Sequence, residues 1–343
     1  TQAKVRVDGL SLMGVPVGEA SATTETRNSV TRGSFSFRGE KFQGSGDFSS
    51  DKTTVINLSC EKFDLRGIDK IFELKLPLMG GSGRGEFRSE VFGPKNAQVT
   101  GTVEGELFTF GGQRVRNYQA SLESLNRKGD GFFRLSSFHG LTHHGDLSGS
   151  FTLTFSQRLF RTFDVDVRGT GLDFASLSPS LAGRFDMALK GIGDFGKDKL
   201  FYTLSSPDFA YYKNRPLPLD SRGFVVPSED SLTLSAEAST KKRDLKATLK
   251  GTLNLVEERA DLEVKLDSSN INALLPWDFN EGEFLLSVSV KGPWKDLQYR
   301  GIVQSQGKTL SLPNYSQTIE NFRFVCLLNN NQLNISALSG TLG

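Results

Sequence analysis

Alternation is the feature that most constrains this chain. Phe151, Leu153 and Phe155 alternate with Thr and Ser, and Phe185, Met187 and Leu189 with Asp, Ala and Lys. Leu232, Leu234, Ala236 and Ala238 form a third row, and Leu245, Ala247, Leu249, Gly251, Leu253 and Leu255 a fourth. Leu262, Val264 and Leu266 alternate with charged residues. Phe284, Leu286, Val288 and Val290 make another row, and Phe322, Phe324, Cys326 and Leu328 another. Successive side chains of a strand point to opposite faces, so a period of two places every one of these rows on a single side. The pattern predicts all-β structure, in antiparallel sheet with one oily and one solvated face. No apolar run approaches the roughly 18 residues of a membrane-spanning helix.

Composition sharpens this reading. The chain has 36 Gly and 27 Phe against 6 Tyr and 2 Trp. Glycine serves tight turns between short strands, and the Arg127–Gly131 and Asn329–Asn331 stretches fit hairpin connections. Phenylalanine needs no hydrogen-bond partner when buried, which suits contact with hydrocarbon and suits an ordinary packed core equally well. A net charge of +2 argues against nucleic-acid binding by bulk electrostatics. At 343 residues the chain exceeds the roughly 250–300 that one hydrophobic core supports, so several domains or a repeat array are expected. It opens at Thr1-Gln2-Ala3-Lys4 and reads as a piece of a longer protein.

Three segments read as brief helical connectors: Phe63–Ile68, Leu172–Leu177 and Ile271–Leu275. Each has Asp or Asn in second place, where the side chain can accept from free amides of a first helical turn. Each precedes a glycine-led strand. Gly85-Glu86-Phe87, Gly183-Arg184-Phe185 and Gly282-Glu283-Phe284 recur at spacings of 98 and 99, and Val7-Asp8-Gly9 echoes Val103-Glu104-Gly105 at 96. A fixed period predicts a linear array in which each unit meets mainly its neighbours. The approximate units are 1–62, 63–171, 172–270 and a shortened 271–343. Eight strands per unit, at about 4.8 Å each, would make the array on the order of 130 Å long.

The stretch 172–191, Leu-Asp-Phe-Ala-Ser-Leu-Ser-Pro-Ser-Leu-Ala-Gly-Arg-Phe-Asp-Met-Ala-Leu-Lys-Gly, resembles the repeat of the TamB/AsmA-like family. There a short helical piece precedes a Gly-x-hydrophobic strand that ends in Gly. Stretches 63–94 and 271–293 resemble it too, as does the small-residue strand Ala337–Gly343. Unit one departs from the pattern by about ten extra residues, 69–80. The resemblance implies an elongated, U-shaped antiparallel sheet (a β-taco, or repeating β-groove) with an apolar groove. It implies a periplasmic location, with an inner-membrane anchor in an N-terminal segment outside this sequence. It also implies phospholipids as cargo, a TamA-like outer-membrane barrel as partner, and roles in outer-membrane biogenesis and protein translocation.

On this reading the apolar rows are the lipid-contacting residues: Phe151, Leu153, Phe155, Phe185, Met187, Leu189, Leu232, Leu234, Leu249, Leu253, Leu262, Val264, Phe284, Leu286, Val288, Phe322 and Phe324. Exposing a CH₂ to water costs about 0.8 kcal/mol, so a continuous apolar track removes most of the barrier to moving acyl chains across water. Interchangeable Leu, Val and Phe leave no deep well along the way. Other readings stay open: a sandwich whose oily faces pack on each other, a membrane β-barrel, an adhesin-like stalk, and a scaffold whose sheet edges pair with unfolded outer-membrane proteins.

Catalytic and metal signals are weak. His139, His143 and His144 lie near Asp146 in a glycine-flanked turn, and no nucleophile elbow, phosphate loop or zinc-protease motif occurs. No enzyme activity, cofactor or resident metal is expected. Lys241-Lys242-Arg243 reads as a hairpin tip. Cys60 and Cys326 share parity with apolar neighbours and are expected to be buried free thiols.

Overall fold

A computed structural model describes the chain except residues 13–14, 65–79, 94–95, 111–112, 158, 177, 212–215, 241–243, 270–277, 312–316 and 331. The chain divides into two compact units, Thr1–Leu172 and Asp173–Gly343. The division falls beside the expected repeat boundary at 171/172.

The first unit is an antiparallel meander in which each strand pairs with the next. Its strands are β1 (Gln2–Leu12), β2 (Val15–Arg27), β3 (Val30–Arg38), β4 (Phe42–Ser50), β5 (Thr54–Asp64) and β6 (Gly80–Gly93), followed by β7 (Asn96–Phe110), β8 (Gln113–Arg127), β9 (Asp130–Leu141), β10 (Asp146–Ser156) and β11 (Leu159–Asp173). The second unit opens with a short 3-10 helix, Phe174–Ser176, and the two-residue β12 (Leu181–Ala182). Its meander continues through β13 (Arg184–Asp194), β14 (Leu200–Tyr211), β15 (Leu217–Pro227), β16 (Ser231–Thr240) and β17 (Leu245–Asn254). It closes with β18 (Arg259–Ser268), β19 (Asp278–Pro293), β20 (Gln298–Ser311), β21 (Thr318–Asn329) and β22 (Gln332–Leu342).

The meander follows from local chemistry. Lys128 and Gly129 link β8 to β9 with φ of 55° and 100°. Positive φ at both central residues defines the type I′ turn, whose twist matches the flanking strands. Of the three expected connectors, the middle one is the 3-10 helix Phe174–Ser176, and the Ala175 amide donates to Asp173 Oδ1 at 2.9 Å. Phe63 and Asp64 instead end strand β5, and the rest of the first connector and all of Ile271–Leu275 lie outside the described residues. So does Lys241–Arg243.

The repeat has a structural counterpart with a different strand count. Gly85 lies in β6, Gly183 immediately precedes β13, and Gly282 lies in β19, so six long strands separate successive landmarks rather than eight. Val7 in β1 and Val103 in β7 are likewise six strands apart. One period therefore spans about 29 Å at the usual interstrand spacing.

Burial within each unit is asymmetric. Along one edge the strands meet in two- to five-residue turns, while the opposite edge carries the 3-10 helix and the longer connections. Val17, Phe42, Phe63, Phe108, Val115, Leu172, Phe174, Phe185, Ala210, Leu245 and Phe322 are buried near the connector edge, while Phe163 and Ala260 are buried nearer the short-turn edge. Cys60 and Cys326 are buried and unbridged.

Candidate functional site

Strand register brings the apolar rows together. Directly paired residues of an antiparallel ladder share a face, so a row can be followed sideways from strand to strand. In the second unit one row runs from Leu189 through Tyr202, Gly223, Ala236, Leu249, Val264, Val288, Gly301 and Leu328 to Leu333. A parallel row runs from Met187 through Leu204, Ser221, Ala238, Ala247, Leu266, Leu286 and Val303 to Cys326. In the first unit a row crosses all eleven strands: Val5, Ala22, Phe35, Gly46, Leu58, Phe87, Gly101, Leu122, Leu135, Phe151 and Val165. The neighbouring row on the other face is polar throughout, including Lys4, Ser34, Asp47, Asn57, Arg88, Glu123, Arg134 and Asp164.

Fifteen of the residues expected to contact lipid are half-buried members of these apolar faces. They are Phe151, Leu153 and Phe155 in the first unit, and in the second Met187, Leu189, Leu232, Leu234, Leu249, Leu253, Leu262, Val264, Phe284, Leu286, Val288 and Phe324. Facing residues of a close-packed sandwich would be sealed from solvent; these keep part of their surface open. Two differ. Phe185 is 4% exposed and lies against Phe174, with ring centroids 4.5 Å apart, so its surface is occupied by the connector. Phe322 is 3% exposed.

The first unit shows why Gly and Phe are abundant together. A side chain at Gly46 would meet the Phe35 ring at 2.7 Å, and one at Gly44 the Phe37 ring at 2.8 Å. Phe48 lies over Gly33 in the same way, at 2.7 Å, and Phe87 over Gly101, at 2.5 Å. The aromatic rings lie down on glycines of adjacent strands, filling space that a Cβ would take. Sequence reading missed this lining, Phe35, Phe87, Leu58, Leu122 and Leu135 included, because glycine interrupts a hydrophobic alternation. The usable signal was Phe35-Ser36-Phe37 opposite Gly44-Ser45-Gly46.

Three tyrosines also stand on the apolar faces, Tyr118, Tyr202 and Tyr299, the last opposite Val290. Tyr118 donates its hydroxyl to the Ser82 carbonyl at 3.0 Å, and burial pushes its phenol up to about 12. Tyr202 and Ser221 share a hydrogen bond of 3.2 Å. Burial also raises the Cys60 thiol; a hydrogen bond with the Lys62 backbone opposes this, and the Glu61 charge adds to it.

A depression of about 1050 Å³ lies on the opposite, polar face of the first unit, among Ser34, Asp47, Asn57, Arg88, Thr100 and Glu123. Its carboxylates are engaged: Glu123 pairs with the neighbouring Arg134 at 3.2 Å, and Asp47 accepts from the Asn57 amide at 2.9 Å. The His143 and His144 rings lie tilted against each other in the β9–β10 turn, centroids 4.1 Å apart, and Asp146 accepts from Thr170 at 2.5 Å. Among the described residues no cluster of three His, Cys, Asp or Glu is placed to hold a metal ion. Among them, too, no helix is long and apolar enough to cross a membrane.

Comparison of the chain with protein-family models, curated proteins and solved structures finds no match.

Proposed function

We propose that the apolar faces carry phospholipid acyl chains, as a non-enzymatic lipid conduit of the TamB/AsmA-like kind. The observation that supports this is the register of the rows: every strand from β13 to β21 contributes a residue to the same half-exposed apolar lane. An acyl chain lying on that lane exchanges water for Leu, Val and Ala at each step, and about 0.8 kcal/mol per CH₂ favours its staying there. The lining is otherwise aliphatic or glycine, and the Tyr202 hydroxyl on it is taken up by Ser221, so no position is built to trap the chain, and movement along the lane needs no catalytic group. The resemblance of residues 172–191 further supports a periplasmic setting, an inner-membrane anchor outside this sequence, and a TamA-like outer-membrane barrel as partner.

The test places photo-crosslinking residues singly along 245–255 and offers vesicles of radiolabelled phosphatidylcholine. Capture at Leu249 and Leu253, without capture at Lys250 and Thr252, is the expected result. Equal capture on both parities, or none on either, overturns the reading.

A second reading has one observation in its favour. Among the described residues β22 pairs with β21, and it carries no charged residue that would oppose the addition of a strand. A strand-pairing scaffold for outer-membrane proteins would lose activity on proline substitution within 332–342 and keep it when Leu249 is changed. A passive adhesin-like stalk would lose nothing in either assay.

A further inference from the structure

We propose that on β15–β18 a phospholipid tail lies along the strands, its methyl end toward the connector edge and its headgroup at the short-turn edge. A buried row at the connector edge then limits the length of tail that fits. The proposal deepens the lipid-carriage reading above and rests on it.

The limiting row belongs to the same face as the lane. By register it runs through Ser206, Leu219, Thr240, Leu245 and Ser268. Ser206 is 2%, Thr240 6%, Leu245 5% and Ser268 1% exposed, so the face is closed here by the protein itself. Its hydroxyls are engaged. Thr240 donates to the Asp244 carboxylate and accepts from the Leu245 amide at 3.3 Å, and Ser268 donates to the Asp244 carbonyl at 3.0 Å. Among the described residues no buried side-chain nitrogen or oxygen lacks a hydrogen-bond partner, so this wall is complete without a ligand.

Between the wall and the turns the face is open and uncharged. On β17 it consists of Ala247, Leu249, Gly251 and Leu253, all half-buried and paired without register shift to β16 and β18. Only Ala260, at the turn end of β18, is buried. Every Asp, Glu, Lys and Arg of β15–β18 alternates onto the other face. Ser221, the one hydroxyl in the open stretch, donates to the Glu237 carbonyl at 3.0 Å. The six residue steps from Ala247 to Leu253 give an open width of about 20 Å. Half of a bilayer's hydrocarbon core is about 15 Å thick, so an ordinary tail fits lengthwise and a much longer one does not.

The two ends of this stretch differ as the ends of an amphiphile do. One end is dry and closed, and at the other the turns 229–230 and 255–258 are exposed. A tail laid with its methyl end at the wall keeps its methylenes on apolar side chains and its headgroup in water. The reverse orientation would press the headgroup against Leu245 and leave the methyl end among the turns.

The experiment supplies the full chain, from detergent, with phosphatidylcholine bearing a diazirine either at the acyl methyl end or beside the ester, and maps the crosslinked residues by mass spectrometry. The methyl-end probe is expected at Ala238 and Ala247, and the ester probe at Leu232 and Leu253. Interchanged or equal labelling overturns the orientation. In competition, dimyristoleoyl and dioleoyl phosphatidylcholine should be recovered with the protein about equally, and dierucoyl phosphatidylcholine, whose tails outrun the face, at least about tenfold less. A double variant, Ala238→Phe and Ala247→Phe, adds bulk at paired, half-open positions one row inside the wall. Its circular dichroism should match the parent, and it should deplete dioleoyl against dimyristoleoyl lipid several-fold. Equal recovery of all the lipids by the parent overturns the length limit and leaves lipid carriage standing. An unchanged preference in the folded double variant overturns the wall as its cause. Recovery of no lipid overturns both proposals, and a polypeptide held at Ala247 and Leu253 in place of lipid overturns the choice of occupant.

Discussion

Gly46 and Phe35 show how two unusual residue counts become one structural device. A Cβ at Gly46 would meet both the Phe35 ring and the backbone of the neighbouring strand, so neither a rotamer change nor a small shift relieves it. Gly46→Ala is therefore expected to cost about 1–3 kcal/mol, measured as a lowered urea midpoint at unchanged slope. Tyr118 makes a pH prediction. Its phenol, ordinarily near 10, is pushed up to about 12, so the folded chain holds the proton more tightly than the unfolded one. Its contribution is intact below pH 10 and is lost as pH rises through about 12. Tyr118→Phe should flatten the stability loss over that window, read from urea midpoints below 10 and near 12. Cys60, buried with a raised thiol, should react with a disulfide reagent only after denaturant is added.

The strands and their connections obey separate rules. A hairpin such as β8–β9 is specified locally, since Lys128 and Gly129 supply the two positive φ values that its turn requires. The 3-10 connector relies on Asp173, whose carboxylate accepts from the Ala175 amide. Asp173→Ala should remove about 1 kcal/mol, seen in thermal melts. Asp173→Asn keeps an acceptor oxygen and should recover most of that loss. The same element covers Phe185, so the Ala variant should also raise hydrogen exchange at the start of β13.

Each unit places its apolar rows in one lane because the meander keeps neighbouring strands antiparallel with few register shifts through the middle of the sheet. A one-residue slip would send a strand's oily side to the polar face. A charge in mid-lane therefore tests carriage without removing a buried core. Leu249→Asp, at a half-buried position, is expected to leave the fold intact and reduce lipid recovered with the protein several-fold, because an acyl chain must pass a solvated carboxylate. Lys250→Asp, on the other face of the same strand, should leave lipid recovery unchanged. Extraction and mass spectrometry of the purified variants read both.

Alternation in residues 151–155, 185–189, 245–255, 262–266 and 284–290 was enough to establish antiparallel strands and the side each apolar residue takes, because strand geometry has a period of two wherever the strand lies. The glycine landmarks marked the repeat, yet six strands per period could not be counted from spacing, since turn length and strand length trade against each other at constant period. Three things depended on packing in space. The rings of Phe35 and Phe87 reach glycines eleven and fourteen residues away. Phe185 is covered by Phe174 while Leu189, two alternations along, is not. Hairpin tips far apart in sequence are joined into one border by backbone hydrogen bonds. All three depend on which strand lies beside which, and a local pattern carries no record of its neighbours.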